Sequence, residues 1–179
     1  MARHVAFLRG INLGATRRVP MNDLRAALEQ AGYTHVRTLL QSGNVVLTST
    51  DDPSGLESDL AEKLRDAFGF DIAVLVRTRD ELANVITRDP FGDEVDDPAR
   101  YQVSFLSAEP EPARVEDLER ADVAPERVAV LGREIYAWHP GGVGRSELAK
   151  RISGRRLGVE VTARNWRTVT KLLELADAR

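Results

Sequence analysis

At 179 residues, 42% hydrophobic and 30% charged, the chain is an ordinary globular one, long enough for one large domain or two small ones that share a core. It has no cysteine, which excludes disulfides and thiolate chemistry and frees the fold from any need for an oxidising compartment. The net charge of −3 is unevenly spread: residues 1–50 carry six Arg against Asp23 and Glu29, residues 145–179 carry nine bases against four acids, and the middle carries ten against twenty-two.

In chain order, residues 4–8 read as a buried strand ended by Gly10. Pro20 suits a helix start, with Met21, Leu24, Ala27, Leu28 and Ala31 on one stripe and Gly32 as the stop. Residues 36–41 and 44–48 read as two strands around Ser42-Gly43, a hairpin signal. Pro53 opens a second helix with Leu56, Leu60, Leu64 and Phe68 at four-residue spacing, closed by Gly69, and residues 72–76 form a fourth strand. The order β-α-β-β-α-β is the split arrangement of ferredoxin-like folds.

The second half repeats it. Thr78 and Glu81 make a capping box for a connecting helix with Leu82, Val85 and Ile86 inward, and an acidic loop follows Pro90. Strands are expected at 101–106, 127–131, 134–138 and 159–163, with helices around Val115, Leu118 and Ala121 and at 146–152. Asn165 caps a last helix with Trp166, Val169, Leu172, Leu173 and Ala176 inward. Arg77 and Arg164 each end a strand, and the apolar spacing after them is the same. We therefore expect an α+β protein of two related ferredoxin-like (βαββαβ) subdomains packed together, residues 1–90 and 91–179, with a C-terminal helix.

Two segments present guanidinium and amide groups between a strand and a helix, where helix N-termini favour anions. In the first, Arg9 and Asn12 supply polar side chains, Gly10 and Gly14 permit close backbone approach, and Arg17 and Arg18 add potential. The other is 161–168, with Arg164 and Asn165. Gln41, Ser42, Gly43 and Asn44 join the candidate ligand-binding set, with the amides of Gln41 and Asn44 beside the first loop; Ser42 is not read as a nucleophile. The bland alternatives are a glycine loop with exposed arginines, a hairpin turn, and a helix cap with a core tryptophan. Residues 138–146 read as a flexible turn rather than a lid. His4, His35 and His139 are scattered, with no acid or serine partner recognisable in sequence and no metal-ligand spacing, so no metal and no cofactor is expected.

On these residues the chain resembles the bacterial proteins of domain-of-unknown-function family 1697. The likeness rests on Leu-Arg-Gly-Ile-Asn-Leu-Gly at 8–14, Met21 with Leu24, Gln-Ser-Gly-Asn-Val at 41–45, Ile135-Tyr136, Ser146 with Leu148, and Thr-Ala-Arg-Asn-Trp-Arg-Thr-Val with Lys171-Leu172 at 162–172. The resemblance implies an α+β fold of two related, interlocked subdomains and no established activity. The chain departs from the family pattern at Ala15, where a second glycine is usual, near Arg17 and Arg18, where lysine is common, and at Ala163, where threonine is usual. Positive charge is kept and one glycine is lost.

The function favoured at this level is binding of a small anionic ligand, a nucleotide or phosphate-bearing metabolite, at a pocket where the two basic ends of the chain meet. Nucleic-acid binding ranks below it, since strand 45–47 has no aromatic residue for base stacking. An enzyme of unspecified reaction and a protein-interaction role are further alternatives, and no general base stands out. No secretory signal and no apolar run of membrane-spanning length is evident, so no membrane partner and a cytoplasmic location are expected. The oligomeric state is left open.

Overall fold

In the computed structural model, which describes residues 1–178, the chain divides into two compact units. The first comprises Met1–Asn84 and the end of the chain from Lys171 onward; the second comprises Val85–Thr170.

The first unit holds β1 (Ala2–Arg9), α1 (Met21–Gln30), β2 (Thr34–Leu39), β3 (Asn44–Ser49), α2 (Pro53–Phe68) and β4 (Ala73–Thr78). Its antiparallel sheet has the order β2-β3-β1-β4, as the split βαββαβ arrangement requires. Alternation along the strands sends Ala6, Leu8, Val45, Leu47, Val74 and Val76 to one face, where they meet Leu24 and Leu28 of α1 and Leu56, Leu60 and Leu64 of α2. Each of these leucines is at most 1% exposed, and burying one is worth on the order of 2 kcal/mol. Helix α2 begins where expected: Asp52 accepts the Gly55 N–H, Pro53 follows, and Gly69 closes it at φ 79°.

The second unit holds β5 (Tyr101–Leu106), α4 (Pro112–Glu119), β6 (Arg127–Leu131), β7 (Glu134–Trp138), α5 (Glu147–Arg151), α6 (Gly154–Leu157) and β8 (Val161–Asn165), in the sheet order β6-β7-β5-β8. Leu106, Leu118, Ile135, Ala137, Leu148 and Leu157 form the core on its helical side. The other side carries aromatics: the buried Tyr101 stacks on the half-buried Trp166 at 4.9 Å between centroids, with the buried Phe91 and Tyr136 beside it. Several expected boundaries shift. Helix α4 stops at Glu119, before Ala121, and β8 runs through Asn165, so that residue ends a strand and caps a helix at once. The short α6 has no counterpart in the sequence reading, since four residues are too few to show a period.

Two further helices, α3 (Arg79–Thr87) and α7 (Trp166–Asp177), follow β4 and β8, and each carries the chain from one unit into the other. The duplication extends to register. Val5 pairs with Val46 and Arg77 as Val103 pairs with Tyr136 and Arg164. Leu8 N donates to Gly43 O at 2.8 Å, and Leu106 N to Arg133 O at 2.9 Å. Thr78 Oγ1 accepts from Glu81 N while Glu81 Oε2 accepts from Thr78 N, the reciprocal box read from the sequence, and Asn165 Oδ1 accepts from Thr168 N at the matching place. The equivalent arginines are both buried, and each donates from Nη1 to the carbonyl of the preceding residue: Arg77 to Val76 at 3.0 Å, Arg164 to Ala163 at 2.8 Å.

Candidate functional site

In the first unit the loop after β1 and the hairpin between β2 and β3 lie against each other. Their contact depends on Gly43. A Cβ there would stand 2.6 Å from Ile11 Cδ1 and 2.8 Å from Leu8 Cβ, and φ is +79°, so only glycine fits. The hairpin connection spans Leu40 to Gly43, longer than the two-residue turn expected, because β2 ends at Leu39 opposite Asn44. Asn44 is 0% exposed. Its Nδ2 donates to Leu39 O at 2.7 Å and to Ser42 Oγ at 3.1 Å, so its amide braces the turn from inside.

Asn12 organises the first loop. Its Nδ2 donates to Val19 O at 2.9 Å and to Gln41 O at 2.8 Å, and its Oδ1 accepts from Val19 N at 2.8 Å. Both amide hydrogens are thereby used, one closing the loop on itself and one joining it to the hairpin. The neighbouring arginines divide in role. Arg17 is built in: Nε donates to Gly10 O at 3.0 Å, Nη2 reaches Asp71 O, and the guanidinium sits 4.8 Å from the Phe70 ring centroid. Arg18 is exposed, and its side chain makes no hydrogen bond or ion pair among the described residues. Asn12, Arg17 and Leu40 are three of the four non-glycine residues at positive φ among the described residues, a concentration of strain that typifies functional loops.

Between these loops and α1 lies a groove of about 570 Å³, lined by Asn12, Gly14, Arg18, Met21, Asn22 and Gln41, with Pro20. Pro20 is the N-cap of α1 and offers no side-chain cap for the first-turn N–H groups, which have no intrahelical partners. Asp23 in the same turn is exposed and outside the lining. The Gln41 side chain is exposed and makes no hydrogen bond among the described residues. Gly10 at φ 71° and Gly14 at φ 83° shape the loop. Arg9 ends β1, exposed, opposite Ala73 of β4, and does not line the groove.

Arg164 and Asn165 belong to the second unit. Arg164 is 8% exposed, and burial pushes its guanidinium down to about 10. Besides the Ala163 carbonyl, Nη1 donates to Thr162 Oγ1 at 2.8 Å. Asn165 Oδ1 accepts from both the backbone and the hydroxyl of Thr168.

The second unit also holds a polar cluster that the sequence reading missed, since it found no partner for any histidine. His139, fully buried, has Nδ1 2.7 Å from Glu126 Oε1 and 2.9 Å from Ser146 Oγ. Burial acts to raise the Glu126 carboxyl, but bonds from Ser146, His139 and the Leu148 N–H together hold it below its ordinary range. The carboxylate is therefore ionised at neutral pH and accepts the Nδ1–H. Acid and hydroxyl meet the same ring nitrogen, whereas a serine–histidine–acid relay needs opposite ones. Ser146 Oγ also accepts from Ala149 N at 2.7 Å as the cap of α5. The cluster anchors a helix start. His139 Nε2 is the buried side-chain polar atom without a hydrogen-bond partner among the described residues. Its signal was unreadable because the three residues come from a loop, a strand end and a cap.

Among the described residues no helix is long and apolar enough to cross a membrane, and no cluster of acids and histidines is suited to a metal ion. No curated protein matches the sequence. Over 98% of the chain the structure is similar to that of the conserved bacterial protein SP0830 from Streptococcus pneumoniae, covering 99% of that chain with a TM-score of 0.76 at 21% identity, a likeness of fold. A family model described as a protein of unknown function (DUF1697) matches residues 1–136, through both loops of the groove and on to Tyr136, and the chain belongs to that family.

Proposed function

We propose that this protein binds a small anionic ligand, a nucleotide or phosphate-bearing metabolite, in the groove between loop 10–19, the 40–43 turn and the start of α1. One observation carries the reading: Arg18, the arginine of its loop left without a partner, lines the groove together with the uncapped first turn of a ten-residue helix. Helix macrodipole and guanidinium act with the same sign there, and oriented N–H groups receive phosphate oxygens without reorganising. In this reading Asn12, Gly43 and Asn44 hold the walls, Gly10 and Gly14 give the loop its path, and Gln41 and Asn22 face the ligand with their amides. Arg9, beyond the lining, adds potential. Arg164 and Asn165 serve within the second unit.

The test is a thermal-shift and calorimetric panel of inorganic phosphate, AMP and ATP on the wild type and on Arg18→Gln. A ligand at 100 times its Kd stabilises the native state by about 2.7 kcal/mol. Losing a charge-assisted bond of about 1.5–3 kcal/mol weakens binding at least tenfold in the variant. Stabilisation by none of these compounds, or an unchanged affinity in Arg18→Gln, removes the reading.

A further inference from the structure

On the helical side of the second unit, α4, α5 and α6 leave a cleft of about 250 Å³ whose walls hold three arginines, Arg114, Arg151 and Arg156, above Leu118 and Leu157. The arginines differ in state. Arg114 is fixed: Nη1 donates to Arg156 O, Nε pairs with Glu111 Oε2 at 3.1 Å, and the guanidinium lies over Gly158, where an added Cβ would come within 3.3 Å of Cζ. Arg151 is half-buried, yet its side chain makes no hydrogen bond or ion pair among the described residues. The Arg156 side chain is equally unengaged, although its carbonyl serves Arg114.

Half-burying a guanidinium costs solvation, and nothing in the described chain returns it. Asp117 also lines the cleft but forms no ion pair with any of the three, and even with Glu111 counted the arginines outnumber the acids. Ala113 is exposed on the cleft wall, and Leu118 and Leu157, each 3% exposed, close the bottom, an apolar lining that a fully hydrated ion would not use. Guanidinium forks match phosphate oxygens in pairs, and a cleft of this size suits one small molecule.

We propose that this cleft is a second anion site, specific for a small phosphate monoester whose apolar portion packs against Ala113 above Leu118 and Leu157. The chemistry separates it from a bare-phosphate site, because the apolar lining rewards the ester group and the arginines reward the dianion.

The experiment titrates the full chain with phenyl phosphate, inorganic phosphate and benzoate, followed by calorimetry and amide chemical shifts. The expected order is phenyl phosphate tightest, with shifts centred on α4 and α6. Arg151→Gln and Arg156→Gln should each weaken phenyl phosphate about tenfold, while Arg155→Gln, a neighbouring exposed arginine outside the cleft lining, and Arg18→Gln leave the α4 and α6 shifts unchanged. All four positions are surface or half-buried, and matched melting curves check folding. Equal weakening by Arg155→Gln would mean diffuse surface charge and overturn the proposal. So would inorganic phosphate binding as tightly as phenyl phosphate, or shifts confined to the first unit's groove, which would return the ligand to Arg18.

Discussion

Two adjacent arginines, identical on paper, end in different employment. Arg17 is consumed by Gly10, Asp71 and Phe70, and Arg18 is left facing a groove. The same separation divides the candidate amides: those of Asn12 and Asn44 are spent on the loops themselves, while that of Gln41 is open. Loop shape therefore rests on a few residues, and Gly43 is the most exacting of them. Replacing it by alanine sets a methyl into Ile11 and Leu8 and forces a non-glycine residue to φ +79°. Overpacking and backbone strain together should destabilise the protein by about 2–4 kcal/mol. Urea unfolding would show it as a lowered midpoint at unchanged slope; a loss within experimental scatter would mean that the two loops part without cost.

At the level of elements, caps decide where helices start, and the α5 cap couples that start to pH. Glu126 Oε2 accepts from Leu148 N and Ser146 Oγ from Ala149 N, so the first turn of α5 hangs on one carboxylate and one hydroxyl. The Glu126 carboxyl is held below its ordinary value of 4.5 in the folded chain. A depressed carboxyl means that the unfolded state binds more protons, so its stabilisation is complete above pH 4.5 and disappears as pH falls through the folded value. Glu126→Gln should cost about 1–3 kcal/mol at pH 7. The gap between variant and wild type should narrow in melts run below pH 4. A gap that stays constant across that range would show that the carboxylate's charge plays no part.

On the scale of the whole chain, the two units repeat one design. In each, the first strand lies inside the sheet, β1 between β3 and β4, β5 between β7 and β8, and is buried on both faces: Val5 and Phe7 on one face and Ala6 and Leu8 on the other, Val103 and Phe105 on one and Ser104 and Leu106 on the other, are all at most 2% exposed. Amides that open only with the sheet exchange only on global unfolding. Hydrogen exchange should find Val5–Phe7 and Val103–Phe105 among the slowest, with loop 13–18 exchanging fast. Faster exchange in β1 than in the edge strand β2 would contradict this order.

The amino-acid sequence by itself determined the elements, the four-residue α6 excepted, and their repetition. Leucines at four-residue spacing in α2, the Pro53 start with the Gly69 stop, and the Thr78–Glu81 box act over a turn or two of chain, and local forces of that range leave a readable pattern. It also pointed to the glycine-bearing loop beside the hairpin. Only the tertiary structure decided which polar groups in those loops were already spent, that His139 meets Glu126 and Ser146, and that three arginines from α4, α5 and α6 line one cleft. Those outcomes depend on which side chains arrive together after the backbone has closed. A hydrogen bond across tens of residues leaves no period, spacing or composition by which to recognise it.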